Sequence, residues 1–234
     1  MNDNMPEVPS SMSGPTPVMQ TWMKALTKPS EQTFAEIASS PNAKATTAYL
    51  WVFIASLVQF FLTTLVQNRM MGTYMEQFGL GSALGERGIG SILIAAICGA
   101  PIAAAVSTLF FAIGVFIVQW IAKMFGGRGT SDQLAYSMAA ITAPYSIVAG
   151  LLILLAAIPY AGYCFSGILA IAGIYVFVLN VMAVKGVNQI SWGAAIGSLL
   201  IPGLVIGFLC ACLVGVTVAT ILPAIRDAAP NLAP

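Results

Sequence analysis

The sequence predicts an all-α integral membrane protein: a bundle of five transmembrane helices behind a short cytoplasmic N-terminal segment containing amphipathic helices. Three observations carry that expectation. Hydrophobic residues make up 59% of the 234 positions and charged residues 7%, where a soluble domain carries about 25% charge. Long uncharged runs recur after Lys44, each near or above the roughly 20 apolar residues needed to cross a hydrocarbon core of about 30 Å. Lysine and arginine also fall unequally on the two sets of connections between those runs.

Residues 1–45 are polar and dotted with proline. They lack the basic start, apolar core and cleavage site of a signal peptide, so the N-terminus is expected to stay cytoplasmic. Residues 1–17 are poor in large apolar side chains and rich in Pro and Ser, and read as disordered. Two short amphipathic helices are expected between residues 18 and 40. In the first, Val18, Trp22 and Leu26 recur at helical spacing with Met19 and Met23 beside them, while Gln20, Lys24 and Lys28 face away. Pro29 and Ser30 restart the chain as a second helix, in which Phe34, Ile37 and Ala38 form an apolar edge and Pro41 ends it. Trp22, Lys24, Lys28 and Phe34 are candidate anchors in the membrane interface. The competing reading packs both helices on the protein's own cytoplasmic surface.

The membrane domain is placed at residues 46–222, with spans at about 46–67, 92–122, 139–158, 164–184 and 194–221. The uncharged run 88–122 is longer than one crossing needs and too short for two with a turn. It reads as a single long or tilted helix with its thin part near Pro101. The run 133–184 holds two crossings turned at Pro159 and Gly162, and the last run holds one, kinked at Pro202. Residues 223–234 form an extracytoplasmic tail. Five crossings put the termini on opposite sides. Lys24, Lys28, Lys44, Lys123, Arg128 and Lys185 fall on the N-terminal side, against Arg69, Arg87 and Arg226 on the other. The bias predicts a multi-pass protein of the cell (inner) membrane with a cytoplasmic N-terminus and an extracytoplasmic C-terminus. Lys185, the one charge between Gln133 and Ile225, then marks the cytoplasmic end of the fourth span. At the bilayer centre it would cost about 2.5–3.5 kcal/mol or more.

The residues for chemistry are scarce. A net charge of +1 argues against nucleic acid as a partner. Histidine is absent, which removes the commonest general base and metal ligand and argues against direct ligation of haem or chlorophyll. Cys98, Cys164, Cys210 and Cys212 each sit in an apolar run and read as packing residues rather than a metal set. The glycine-rich stretches "GIGSIL" and "GGRGTS" do not match a phosphate loop, and no G-x-S-x-G elbow occurs. No catalytic residues, metal site or cofactor are expected, although apolar grooves could contact lipid, quinone or pigment without any motif. Gln59, Thr63, Thr64, Ser107, Thr108, Gln119 and Asn180 are polar within the spans, and hydrogen bonding between helices accounts for them. Small residues, including Gly193 and Gly197, are expected to allow close helix approach, within the bundle or against other membrane proteins and lipids.

Three stretches together resemble a known family. "PSEQTFAEIASSP" at 29–41, "GGRGTSDQLAYSMAAITAPY" at 126–145 and "YVFVLNVMAVKGVNQISWGAA" at 175–195 are similar to the Ypt/Rab-interacting (Yip-domain) membrane proteins in their prokaryotic form. The resemblance covers roughly residues 22–222. It implies a cytoplasmic N-terminal segment, five spans and a glycine-containing loop after the fourth. It also places Arg128, Thr130, Tyr136, Pro144, Lys185, Gly186, Asn188 and Trp192 at recurring positions. Both stretches holding them are cytoplasmic in the expected topology, so these eight residues form the candidate contact face. Eukaryotic members of the family are associated with Rab GTPases, vesicle formation and membrane shaping, and form complexes with one another.

The function expected is that of a non-enzymatic scaffold, assembly factor or accessory subunit of a larger membrane complex. Its partners would be membrane lipids and other integral membrane proteins, in a hetero-complex or by self-association. The alternative is a channel or permease for a small neutral or lipidic molecule, lined by Gln59, Thr63, Ser107, Thr108 and Asn180.

Overall fold

The computed structural model describes residues 18–77, 89–156, 161–205, 207–208 and 211–212. The chain forms α1 (Val18–Thr27), α2 (Glu31–Ala38), α3 (Ala45–Gln77), α4 (Ile89–Met124), α5 (Ser131–Ala156), α6 (Ala161–Asn188) and α7 (Trp192–Val205). No strand occurs among the described residues. Four stretches are long and apolar enough to cross a membrane: Ala45–Val66, Ala96–Met124, Ser131–Leu155 and Gly167–Asn188. α7 begins where the fifth span was expected and is apolar throughout its described length. The N-terminal 17 residues, the turn at Pro159, Arg87 and the tail from 223 lie outside the described residues.

The helices are longer than the uncharged runs that announced them. α3 continues past its uncharged run to Gln77 and carries Arg69 and Glu76. α5 starts at Ser131, because Thr130 and Gln133 close its first turn reciprocally. The Thr130 Oγ1 accepts from the Gln133 N–H at 3.3 Å, and the Thr130 N–H donates to Gln133 Oε1 at 3.0 Å. An uncharged run marks where a helix meets hydrocarbon, whereas its ends are set by capping. α4 is a single helix, with Pro101 inside it.

α5 is the hub of the bundle, packed against α3, α4, α6, α1 and α2. Its buried Leu134, Ala135, Ala139, Ala140 and Ala143 are mostly too small to hold neighbours away. At Gly150 the α3 backbone comes so close that an added Cβ would lie 3.1 Å from Gln59 Cα. Against α3, helix α4 presents Ala96, Ala100 and Ala104, four apart and buried, followed by Ser107, whose hydroxyl meets that of Ser56 at 3.4 Å. The opposite side of α4 exposes Ile94, Ile102, Leu109, Phe110, Phe116 and Trp120, as a lipid-facing surface does. Gly193 and Gly197 do not mediate close approach within the bundle: a Cβ on Gly193 meets open space, and one on Gly197 would be in ordinary contact with the Phe125 ring at 3.8 Å and the Ile201 side chain at 3.9 Å. Helix α7 turns Ala195 and Ser198 inward instead. Cys98 and Cys212 are likewise exposed rather than packed in the core, while Cys210 and the Cys164 side chain lie outside the description.

α1 and α2 fold onto the bundle. Ser30 caps α2 by accepting the Thr33 N–H at 3.0 Å, and Glu31 follows in the first turn, where a carboxylate opposes the helix dipole. The inner edge of α2, Thr33, Phe34, Ile37 and Ala38, is buried against α6 and α5. On α1, Trp22 meets the Trp51 ring edge-on with centroids 5.8 Å apart, and Trp51 in turn lies 4.8 Å from Tyr136.

Candidate functional site

One end of the bundle gathers most of the polar contacts, and it is built where α4, α5, α6 and α2 terminate. α4 stops because Gly126 takes φ +85°, a left-handed conformation that glycine adopts without a Cβ penalty. The Gly127 N–H then reaches back to the Ala122 carbonyl at 2.9 Å, and the Gly126 N–H to that of Lys123 at 3.0 Å. The chain turns through Arg128, whose N–H donates to the Asn188 carbonyl at 3.1 Å. Gly127 and Gly129 permit this passage, since a Cβ on either would fall within 3.0 Å of Asn188 or Val187 atoms.

Beneath that turn two buried amides face each other. Gln119 Nε2 donates to Asn188 Oδ1 at 2.8 Å and to the Gly129 carbonyl at 2.7 Å. Asn188 Nδ2 donates to Gln119 Oε1 and to the Val184 carbonyl, both at 3.2 Å. Two helices, α4 and α6, and the turn at Gly129 are thereby joined by one pair of side chains. A buried amide lacking such partners would cost about 1–3 kcal/mol.

The neighbouring cleft lies between α2 and the end of α6. It is an open depression of about 370 Å³ lined by Glu31, Gln32, Ala35, Lys185, Gly186, Gln189 and Ile190. Lys185 pairs with Glu31 and also stands over the Trp192 ring, 4.4 Å from its centroid. Gly186 lets the α2 backbone touch α6, for a Cβ there would run into the Glu31 carbonyl oxygen. Gln189 ends α6 at φ +56°, and Ser191 opens α7 by accepting the Ala194 N–H at 3.3 Å.

The eight residues singled out from the sequence divide by burial. Arg128, Thr130 and Trp192 are exposed, and Lys185 is partly so. Tyr136, Pro144, Gly186 and Asn188 are buried, and the first two lie inside α5 rather than on a loop. They shape the bundle and leave the surface to the other four. Lys185, Gly186 and Asn188 likewise belong to the last turn of α6, not to a loop after it. Of the candidate anchors, Phe34 is a fully buried core residue. Trp22 is half-buried on Trp51, Lys24 pairs with Glu36 at 2.5 Å, and Lys28 is exposed.

Sequence reasoning missed Glu31 as the partner of Lys185, although an acid directly after a capping serine is a signal for a helix start that something else can use. It also passed over Gly127, Gly129 and Trp51. Among the described residues no group of three or more His, Cys, Asp or Glu side chains could hold a metal ion. A second depression, about 380 Å³ and almost wholly apolar, opens between α3 and α4 beside Leu57, Phe61, Ile97 and Pro101.

Neither a curated protein nor a solved structure matches the chain. The model of the Yip1 domain family does, over residues 23–214, which takes in α1 from Met23, the whole helical bundle and the polar junction at its end. This multi-pass helical membrane protein therefore belongs to the Yip1 domain family.

Proposed function

We propose that this Yip1-domain chain is a non-enzymatic scaffold, assembly factor or accessory subunit that works by contact with other integral membrane proteins. The observation that carries the reading is the use made of buried polar groups. Gln119, Asn188, Ser56 and Ser107 are spent on holding helices to one another, while large apolar side chains of α4, α6 and α7 point outward. The contact surface at the polar end consists of Arg128, Lys185 and Trp192 with the rim of the α2–α6 cleft, Gln32 and Gln189. We place this end in the cytoplasm and the chain in the inner membrane, since Lys24, Lys28, Lys44, Lys123, Arg128 and Lys185 all fall on that side.

The test is extraction of the native protein in mild detergent, followed by size separation and mass spectrometry of whatever travels with it. A stoichiometric set of membrane subunits is expected. A stable monomer with no companion would overturn the reading.

A channel or permease for a small neutral or lipidic molecule is the second reading, and Asn180 is what favours it. Its Nδ2 donates to the Val176 carbonyl at 2.9 Å, while Oδ1 is buried without a partner. Ser107 and Thr108, two other members of that path, bond to Ser56 and to the Ala104 carbonyl. Absence of flux through the purified chain in liposomes, with Asn180→Leu changing stability alone, would remove this reading.

A further inference from the structure

Helix α1 is bordered by three different surroundings. Around a helix of 3.6 residues per turn, Thr21 and Ala25 fall on one line and are buried against α5, with Trp22 and Leu26 half-buried beside them. Gln20, Lys24, Thr27 and Lys28 occupy the far side and are exposed, and Lys24 reaches Glu36 of α2. Between these two sectors stand Met19 and Met23, one turn apart. Both are large and apolar, yet 66% and 54% exposed. Burying such a side chain is worth about 1.5–3 kcal/mol. The sector is continuous with the apolar contact to the bundle and stops where the lysines begin.

The depth of α1 along the bundle says what covers that sector. The Leu26 carbonyl accepts a hydrogen bond of 2.6 Å from the Tyr175 hydroxyl. Tyr175 precedes Asn188, the end of α6, by 13 residues, about 20 Å at roughly 1.5 Å per residue. Trp22 meets Trp51, already two turns into α3. α2, by contrast, covers the last turn of α6 at Lys185 and Gly186. So α1 runs inward beside the spans while α2 closes over the end. An exposed apolar strip beside the spans, below the level that α2 covers, faces the acyl chains, as the apolar face of an interfacial helix does.

We propose that α1 is a lipid-embedded interfacial helix, with its Thr21–Ala25 line on protein, its Met19–Met23 side in the bilayer and its Gln20–Lys24 side in water. Lys28 extends its ammonium toward the headgroups from the same position. The occupant of the strip is lipid, and the assignment holds whether or not partner subunits exist.

Spin labels test it on the full chain in phospholipid vesicles, with Cys98, Cys164, Cys210 and Cys212 replaced and one cysteine introduced at a time. For Met19→Cys and Met23→Cys, collision with oxygen is expected to exceed collision with a water-soluble nickel chelate several-fold. Gln20→Cys and Thr27→Cys are expected to show the reverse, which also reports that the helix has kept its place. Equal access of the nickel chelate to all four would overturn the proposal. Labels at 19 and 23 shielded from both collision partners would overturn it too, by placing a protein there. Where a label disturbs the fold, Met23→Asp in the unlabelled chain gives a second reading. If water covers Met23 the change leaves protease access to Lys24 and Lys28 unaltered, whereas lipid embedding predicts a several-fold rise in cleavage.

Discussion

Gln119 and Asn188 exchange hydrogen bonds in both directions, 2.8 and 3.2 Å long, although 69 residues separate them and neither is more than 2% exposed. The pair fixes α4 to α6 at the end where the connecting turn also attaches. Asn188→Leu strands the Gln119 amide and should lower stability by about 1–3 kcal/mol. Thermal unfolding in detergent measures it. The double change Gln119→Leu with Asn188→Leu should cost less than the two single losses added. Simple additivity would mean the amides act independently.

Gly186 and Gly193 offer a matched comparison. Gly186→Ala drives a methyl into the Glu31 carbonyl and should destabilise by about 1–3 kcal/mol, detaching α2. Gly193→Ala enters open space on a helix and should be neutral or stabilising by up to about 1 kcal/mol. Equal melting temperatures for the two variants would show that α2 does not sit on α6 as described.

Thr130 is a cap despite its exposure. Thr130→Ala should cost about 1 kcal/mol, and Thr130→Ser should recover most of it, because the hydroxyl is what meets the Gln133 N–H. A loss that serine fails to repair would point to a role for the methyl group instead.

The ion pair of Lys185 with Glu31 is partly solvated and should contribute little, about 0.2–1 kcal/mol. Its effect is local. Lys185→Gln should raise protease cleavage within residues 18–38 while leaving the melting of the bundle almost unchanged. Exchanging the charges, with Glu31→Lys and Lys185→Glu together, should reduce cleavage again unless the Trp192 contact is what holds α2.

Arg128 and Trp192 lie on the surface proposed for partners. Arg128→Ala and Trp192→Ala should each reduce the yield of copurifying membrane subunits while shifting stability by no more than about 0.5 kcal/mol. Unchanged companions with both substitutions present would remove this surface from consideration.

What could be read from the residues was the class of the fold and four of the five expected crossings, because hydrocarbon demands uninterrupted apolar length and that length is written plainly. The polar end was legible only in part. Lys185, Gly186 and Asn188 stood out as departures from an apolar background, yet their partners could not be named. Pairings such as Lys185 with Glu31 are set by tertiary approach and leave no local pattern. The burial of Tyr136 and Pro144 is likewise set by the fold rather than by a local pattern. Tyr136 sits beside polar residues that serve the first turn of α5, and the helix turns its ring inward onto Trp51, while Pro144 lies farther along the same helix, within the expected third span. Gly193 and Gly197 fit a spacing for close approach that the fold satisfies elsewhere, with Ala96, Ala100 and Ala104 on α4.

The contact between Glu31 and Lys185 spans 154 residues of sequence. A ribosome adding about 5–20 residues per second takes about 8–30 s to cover that distance. During that interval the first two helices have been made, but the strip of α6 that receives them has not. Phe34 and Ile37, which end in the core, are without their final surroundings until the fourth crossing is inserted. The segment translated first thus gains its full surroundings only after four crossings have been made.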